Sequence, residues 1–179
     1  MQVKLKDLVG YVADVIAHNA VTWAVGQVVG PRLDVSAAQL SEKADSLAAG
    51  LVPAGAPAAP SMAAPTLAPS TDQWVHQWQL EKLAGDLIAR ATVEAQQQGR
   101  QMAERQLQEN AVRAMVALAP AELGEAVIGT AAAIAAEAAA AQCLERLDQQ
   151  VQNAVWQGVN RQVTAALARV ARASRAPLP

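Results

Sequence analysis

The sequence predicts an all-α protein: long Ala-rich helices forming a helical hairpin, bundle or coiled-coil-like assembly, interrupted by a Pro/Ala-rich linker. Three observations predict it. Residues 121–141 hold eleven Ala and only two Gly, and Ala is the strongest helix former. Apolar residues recur at steps of three and four along most of the chain, the spacing that lines one side of a helix. Finally, 43 of the 179 residues are Ala, Phe is absent and Tyr11 is the only Tyr. Bulky apolar groups are therefore scarce. Alanine buries little surface but lets helix backbones approach closely, so thin helix–helix seams suit this inventory better than a thick globular core.

The first helix is expected over about residues 3–29. Leu5, Leu8, Val12, Val15 and Thr22 follow helical spacing, with Val9, Ile16 and Trp23 widening the stripe. Gly30-Pro31 predicts its end. Asn19 falls in line with Leu5 and Val12, where a polar residue can fix the register of a seam. A short second helix is expected over 37–49, capped by Ser36 with Gln39 three residues on. Gly50 closes it, and Leu40, Ala44, Leu47 and Leu51 give it one apolar face.

Residues 50–70 carry Pro53, Pro57, Pro60, Pro65 and Pro69, which exclude a helix or a central strand. Such a Pro/Ala-rich linker divides an N-terminal helical module (1–49) from a C-terminal long-helix module (71–179). Within the latter, a helix over about 72–118 is signalled by Ser70 and Gln73 as a capping box and Asp72 in its first turn. Trp74 and Trp78 share one of its faces, and Leu80, Leu83, Leu87 and Ile88 continue an apolar side. Its middle, Gln96 to Gln101, is polar almost all round, which suits either solvent or pairing through long polar side chains.

Ala119-Pro120 marks a break, and a last helix is expected over about 120–172, either continuous or turning near Gly129. Glu122 and Glu125 complement the dipole at its start. Its seam residues Leu144, Leu147, Val151, Val155, Val159, Val163, Leu167 and Val170 are separated by mean steps near 3.7. That exceeds the 3.5 of a left-handed coiled coil and leans straight or right-handed. The pattern Asn-Ala-Val-x-x-x-Val starts at Asn19, Asn110 and Asn153. If these asparagines mark equivalent packing layers, a turn near Gly129 brings Asn110 beside Asn153, and a turn at Pro120 does not.

Motifs of chemistry are weak. His18 and His76 are the only histidines, and neither has a His or Cys partner at metal-ligand spacing. No Gly-rich phosphate loop, nucleophile elbow or zinc-protease helix is present, and the carboxylates are scattered. No metal, cofactor or enzymatic activity is expected. The lone Cys143 sits among small helix residues and has no activating neighbour in sequence. A net charge of −2 argues against general nucleic-acid binding. After Asp148 the only charges are Arg161, Arg169, Arg172 and Arg175. They complement a helix C-terminus, or else contact phosphate or anionic lipid. The N-terminal residues lack a secretory pattern because Asp7 and Asp14 interrupt them, so a cytoplasmic location is the expectation.

Leu123-Gly124-Glu125-Ala126 and Gln152-Asn153-Ala154-Val155 resemble segments of the R-body ribbon proteins, small Ala/Gln-rich helical subunits. The likeness covers two short stretches. The proline that usually follows the glycine-acid-alanine step in that family is missing here. What the resemblance implies is a polymerising subunit.

Function expected from these features is structural: a non-enzymatic protein that self-associates through Ala-rich helical seams, within a larger bacterial or phage-type assembly. Its partners would be further copies of itself or other subunits. The residues expected at interfaces are Asn19, Trp23, Trp74, Trp78, Asn110, Val151, Asn153, Val155, Val159, Val163 and Leu167. A protein docking on a membrane surface through its first helix, with Lys4 and Lys6 at the headgroups, is the alternative.

Overall fold

A four-residue step governs which side chains are buried. In the computed structural model, which describes residues 4–51 and 71–175, the chain forms three helices and, among those residues, no strand. They are α1 (Leu5–Leu51), α2 (Thr71–Leu118) and α3 (Glu125–Arg175). On α1 the buried positions Val12, Ile16, Ala20, Ala24 and Val28 are each four apart. Every fourth residue of α2 from Leu87 to Met115 is buried, and so is every fourth residue of α3 from Ala135 to Val163. Four residues exceed one turn of 3.6, so the seam winds slowly around each helix in the right-handed sense. The expectation of a non-zipper seam stands. Its membership differs, because Leu144 is exposed and the adjacent Cys143 takes the buried position.

The described residues divide into two compact units, one drawn from Met1–Arg32 and Ala91–Ala154, the other from Leu33–Arg90 and Val155–Pro179. Each takes a segment of all three helices. The expected division into modules 1–49 and 71–179 therefore does not describe the packing. In the first unit α2 runs antiparallel to α3, joined by a turn at 119–124 in which the Leu123 amide donates to the Pro120 carbonyl (3.0 Å). Alanine lines much of this core, and Gly99 marks a point of close approach. A Cβ added there would lie 3.3 Å from Leu147 Cδ2 and 3.6 Å from Val28 Cγ2. The polar middle of α2 is paired rather than bare. Gln96 Nε2 donates to the Asp148 carbonyl at 3.2 Å, and the Arg100 guanidinium grips both oxygens of the Asp148 carboxylate. That pairing raises the Arg100 pKa further. Arg146 meets Asp14 at 3.3 Å and Arg32 meets Glu94 at 3.7 Å.

In the second unit α1 runs parallel to α3. Gln162 Nε2 donates to the Leu33 carbonyl at 2.8 Å, and Arg169 pairs with Asp45 at 3.2 Å. Leu33 packs against the backbone at Gly158, where an added Cβ would stand 2.5 Å from its methyl carbons. Leu40 and Ala44 are buried with Leu47 and Leu51 half-buried, as the apolar face over 37–49 predicts.

Two boundaries differ from expectation, and one left open is decided. The first concerns the two helices at 3–29 and 37–49, which are one helix with Pro31 inside it. Proline removes one hydrogen bond and costs about 3 kcal/mol in a helix interior, but buried residues continue on both sides, from Val28 and Val29 to Ser36 and Leu40. Burial of such side chains is worth about 1.5–3 kcal/mol each for the larger ones, enough to carry the helix through. Ser36 is accordingly a buried mid-helix residue, not a cap. The last helix, secondly, begins at Glu125, with Gly124 offering its carbonyl to the Val127 and Ile128 amides. Glu125 lies in the first turn as expected, whereas Glu122 precedes the helix. Of the two alternatives for the last helix the continuous one holds, since Gly129 is helical and marks no turn. The prolines at 53–69 and the Ser70 cap lie outside the described residues.

Candidate interaction surface

The aromatic side chains are all outside. Tyr11, Trp74, Trp78 and Trp156 are each 57–62% exposed, and Trp23 is 39% exposed. The buried side chains are instead Ala, Val and Leu with single Ile, Met, Cys and Ser residues. This reverses the usual placement, since aromatics normally dominate core energetics. Trp74 and Trp78 do share one face of α2, but the core packs on the other side, through Leu80, Ala84 and Leu87. Their sequence setting carried the signal. Asp72, Gln73, Gln77, Gln79 and Glu81 surround them.

Around this pair, side-chain contacts link residues one turn apart on α2. The Lys82 ammonium sits 5.3 Å from the centre of the Trp78 ring, a cation–π contact between residues four apart. Gln77 Nε2 donates to Glu81 Oε1 at 2.8 Å. Trp74 also borders a mainly apolar groove of about 400 Å³ with Leu51, Leu167 and Val170, where the half-buried His76 is a further wall. A second apolar groove, of about 570 Å³, lies between the starts of α1 and α3 and is lined by Leu5, Val9, Val127 and Ile134. Ala133, Ala138 and Ala141 are also exposed, so part of the alanine tract faces outward while Ala131, Ala132, Ala135 and Ala139 are buried.

The remaining expected interface residues scatter. Val151, Val155 and Val159 are fully buried and Val163 nearly so, inside the chain's own helix packing. Their seam is covered by α1 and α2, not left for a neighbour. Leu167 is half-buried at the groove beside Trp74. Asn19 and Asn153 are exposed, and Asn110 is half-buried with its amide donating to Gln106 Oε1 at 2.9 Å. The seam steps by four, so Ile16 and Ala20 take the buried positions and Asn19 falls outside. The shared asparagine layer fails as well. With the turn at 119–124, Leu107 lies against Ala133 and Ala136, while Asp148 lies against Gln96 and Arg100. Asn110 and Asn153 are therefore far apart along the hairpin.

Little reactive chemistry is assembled. Among the described residues no three His, Cys, Asp or Glu side chains gather where a metal ion could bind. Cys143 is buried, and burial pushes its thiol pKa up while Arg146 opposes the shift in part. Three of the late arginines make local contacts: Arg161 and Arg172 each donate to the carbonyl four residues back, and Arg169 holds Asp45 and Ser41. No known protein family, curated protein or solved structure matches this chain.

Proposed function

We propose that this protein is a non-enzymatic structural subunit that self-associates within a larger bacterial or phage-type assembly, through surface aromatics rather than through its alanine and valine seams. The observation that carries the reading is the location of every aromatic side chain on the surface of a chain whose core is Ala, Val and Leu. Exposed tryptophans lose favourable free energy to water in an isolated molecule and are the residues most enriched at the energetic centres of protein interfaces. The seams expected to bind neighbours are occupied by the chain's own helices, which leaves the outward faces for partners. Sedimentation velocity across a wide concentration range tests this, with an expected rise in mass above the monomer. A strictly monomeric species throughout would overturn it. Light scattering with negative-stain imaging then separates a closed oligomer from the open polymer that the R-body resemblance implies.

One observation favours a second reading. Two helices, α1 and α3, contain windows long and apolar enough to cross a membrane, and only 28% of the α3 window is buried. On this reading the apolar groove between Leu5, Val9, Val127 and Ile134 meets a lipid surface, with Lys6 at its rim. Co-flotation with anionic liposomes, lost at high salt or on Leu5→Asp, is the expected result. Failure to float at any lipid composition would remove this reading.

A further inference from the structure

The exposed stripe of α2 that carries Trp74 and Trp78 continues through Glu81, Lys82, Gly85 and Ala89. At about 100° per residue these six positions fall within an arc of roughly 100°, one continuous face. All six are exposed. Set antiparallel against a copy of itself, this face matches in size and in charge about a single centre, midway between Glu81 and Lys82. Trp78 meets Gly85, Trp74 meets Ala89, and Glu81 meets Lys82, and by symmetry each pairing occurs twice. We infer that Trp74–Ala89 of α2 is a two-fold interface for a second copy of this chain, in which each tryptophan packs over a small residue of the partner helix.

Gly85 shares its open surroundings with the exposed helix glycines Gly10, Gly26, Gly30, Gly50 and Gly129, and differs from them in lying on the tryptophan face, opposite Trp78 in the antiparallel register. Nothing lies within 4 Å of the position a Cβ would take there, and the residue is exposed in mid-helix. An exposed helix glycine costs about 1 kcal/mol relative to Ala, and nothing in the single chain requires one. A partner's indole stacked on that backbone would use it, because glycine allows the closest approach. Charge complementarity sets the direction. In a parallel pairing Glu81 would face Glu81 and Lys82 would face Lys82, which like-charge repulsion opposes; the antiparallel pairing puts opposite charges together. The cation–π contact of Lys82 with Trp78 and the Gln77–Glu81 hydrogen bond already hold both groups near the face they would use. The two tryptophans supply roughly 200–300 Å² per copy, and Gln77, Ile88 and Ala89 add to it. The total falls below the ~800 Å² per partner of a standard interface, which fits a reversible, concentration-dependent dimer.

This inference rests on the proposal of self-association, and the experiment separates the two. Sedimentation equilibrium is run on the full chain and on Gly85→Leu, Glu81→Lys and Lys82→Glu. Circular dichroism checks the fold, and Gly85→Leu should raise helix stability, since Leu outranks Gly in propensity. The expected result is a dissociation constant at least tenfold weaker for each variant. Mixing Glu81→Lys with Lys82→Glu should restore association, because only the mixed pair is complementary. Self-association unaltered by all three variants would overturn this surface and leave the general proposal standing. A wild-type chain that stays monomeric at hundreds of micromolar overturns both. Tryptophan emission that shifts only on adding anionic vesicles, with the chain still monomeric, overturns the dimer in favour of a lipid surface.

Discussion

Cys143 and two glycines show what a single side chain does in helices packed this closely. The thiol of Cys143 is buried in the α3 seam, and burial favours its neutral form. Because its folded pKa is raised, its contribution to stability is complete below the ordinary thiol pKa of about 8.5 and is lost as pH rises through the higher folded value. Unfolding midpoints should therefore fall more steeply in alkaline solution for the wild type than for Cys143→Ala. Alkylation by iodoacetamide should be slow in the native protein and fast in urea; rapid native labelling would contradict the burial. The glycines divide by what surrounds them. Gly129→Ala meets open space on an exposed helix face, so it should gain up to about 1 kcal/mol from helix propensity. Gly158→Ala places a methyl 2.5 Å from Leu33, and it should lose about 1–3 kcal/mol to overpacking. Urea melts of the two variants should move in opposite directions. Both glycines lie in the segment expected to form the last helix, over about 120–172. Only the position of Leu33 distinguishes them.

At the scale of the element, periodicity was legible and its consequences were less so. The helix expected over 72–118 follows from local signals, namely Asp72 in the first turn and the break at Ala119-Pro120, whereas the one expected over 120–172 runs from Glu125 to Arg175 because residues 119–124 form a turn. The four-residue step was present in Val151, Val155, Val159 and Val163. Carried back along α1 it would have placed Ile16 and Ala20 inside and Asn19 outside. The alignment of Asn19 with Leu5 and Val12 instead presumed a step of seven residues. Pro31 misled for a different reason, since a local breaking signal was outweighed by burial on either side that only the tertiary structure reveals. Replacing it tests that balance. Pro31 is exposed and helical, so Pro31→Ala removes the steric clash and restores a backbone donor without opening a cavity. The expected gain is on the order of 1–3 kcal/mol, read as a higher thermal midpoint by circular dichroism. A loss of stability would mean that the proline ring makes packing contacts the helix depends on.

The placement of large and small side chains is the property of the whole molecule that the sequence only half revealed. With few bulky apolar residues available, Trp74, Trp78 and the valines of α3 all looked like contacts left for a neighbour. The three helices bury the valines and leave the indoles outside. Small residues at every fourth position let the backbones close on one another, and an indole has no room between them. Covalent connection of three helices in one chain satisfies the Ala and Val seams without a partner, so the proposed self-association has to use the outside. This has a direct optical consequence. Indoles in water emit at long wavelength, so dilute native protein should fluoresce much like the urea-unfolded chain, while circular dichroism shows a cooperative loss of helix. Raising the concentration should shift the emission to the blue as Trp74 and Trp78 are covered. Gly85→Leu should abolish that shift with no loss of helix. A blue-shifted spectrum in dilute solution, already present in a demonstrated monomer, would show that the tryptophans are covered within one chain, and with them would go the argument that the surface, not the seam, makes the assembly.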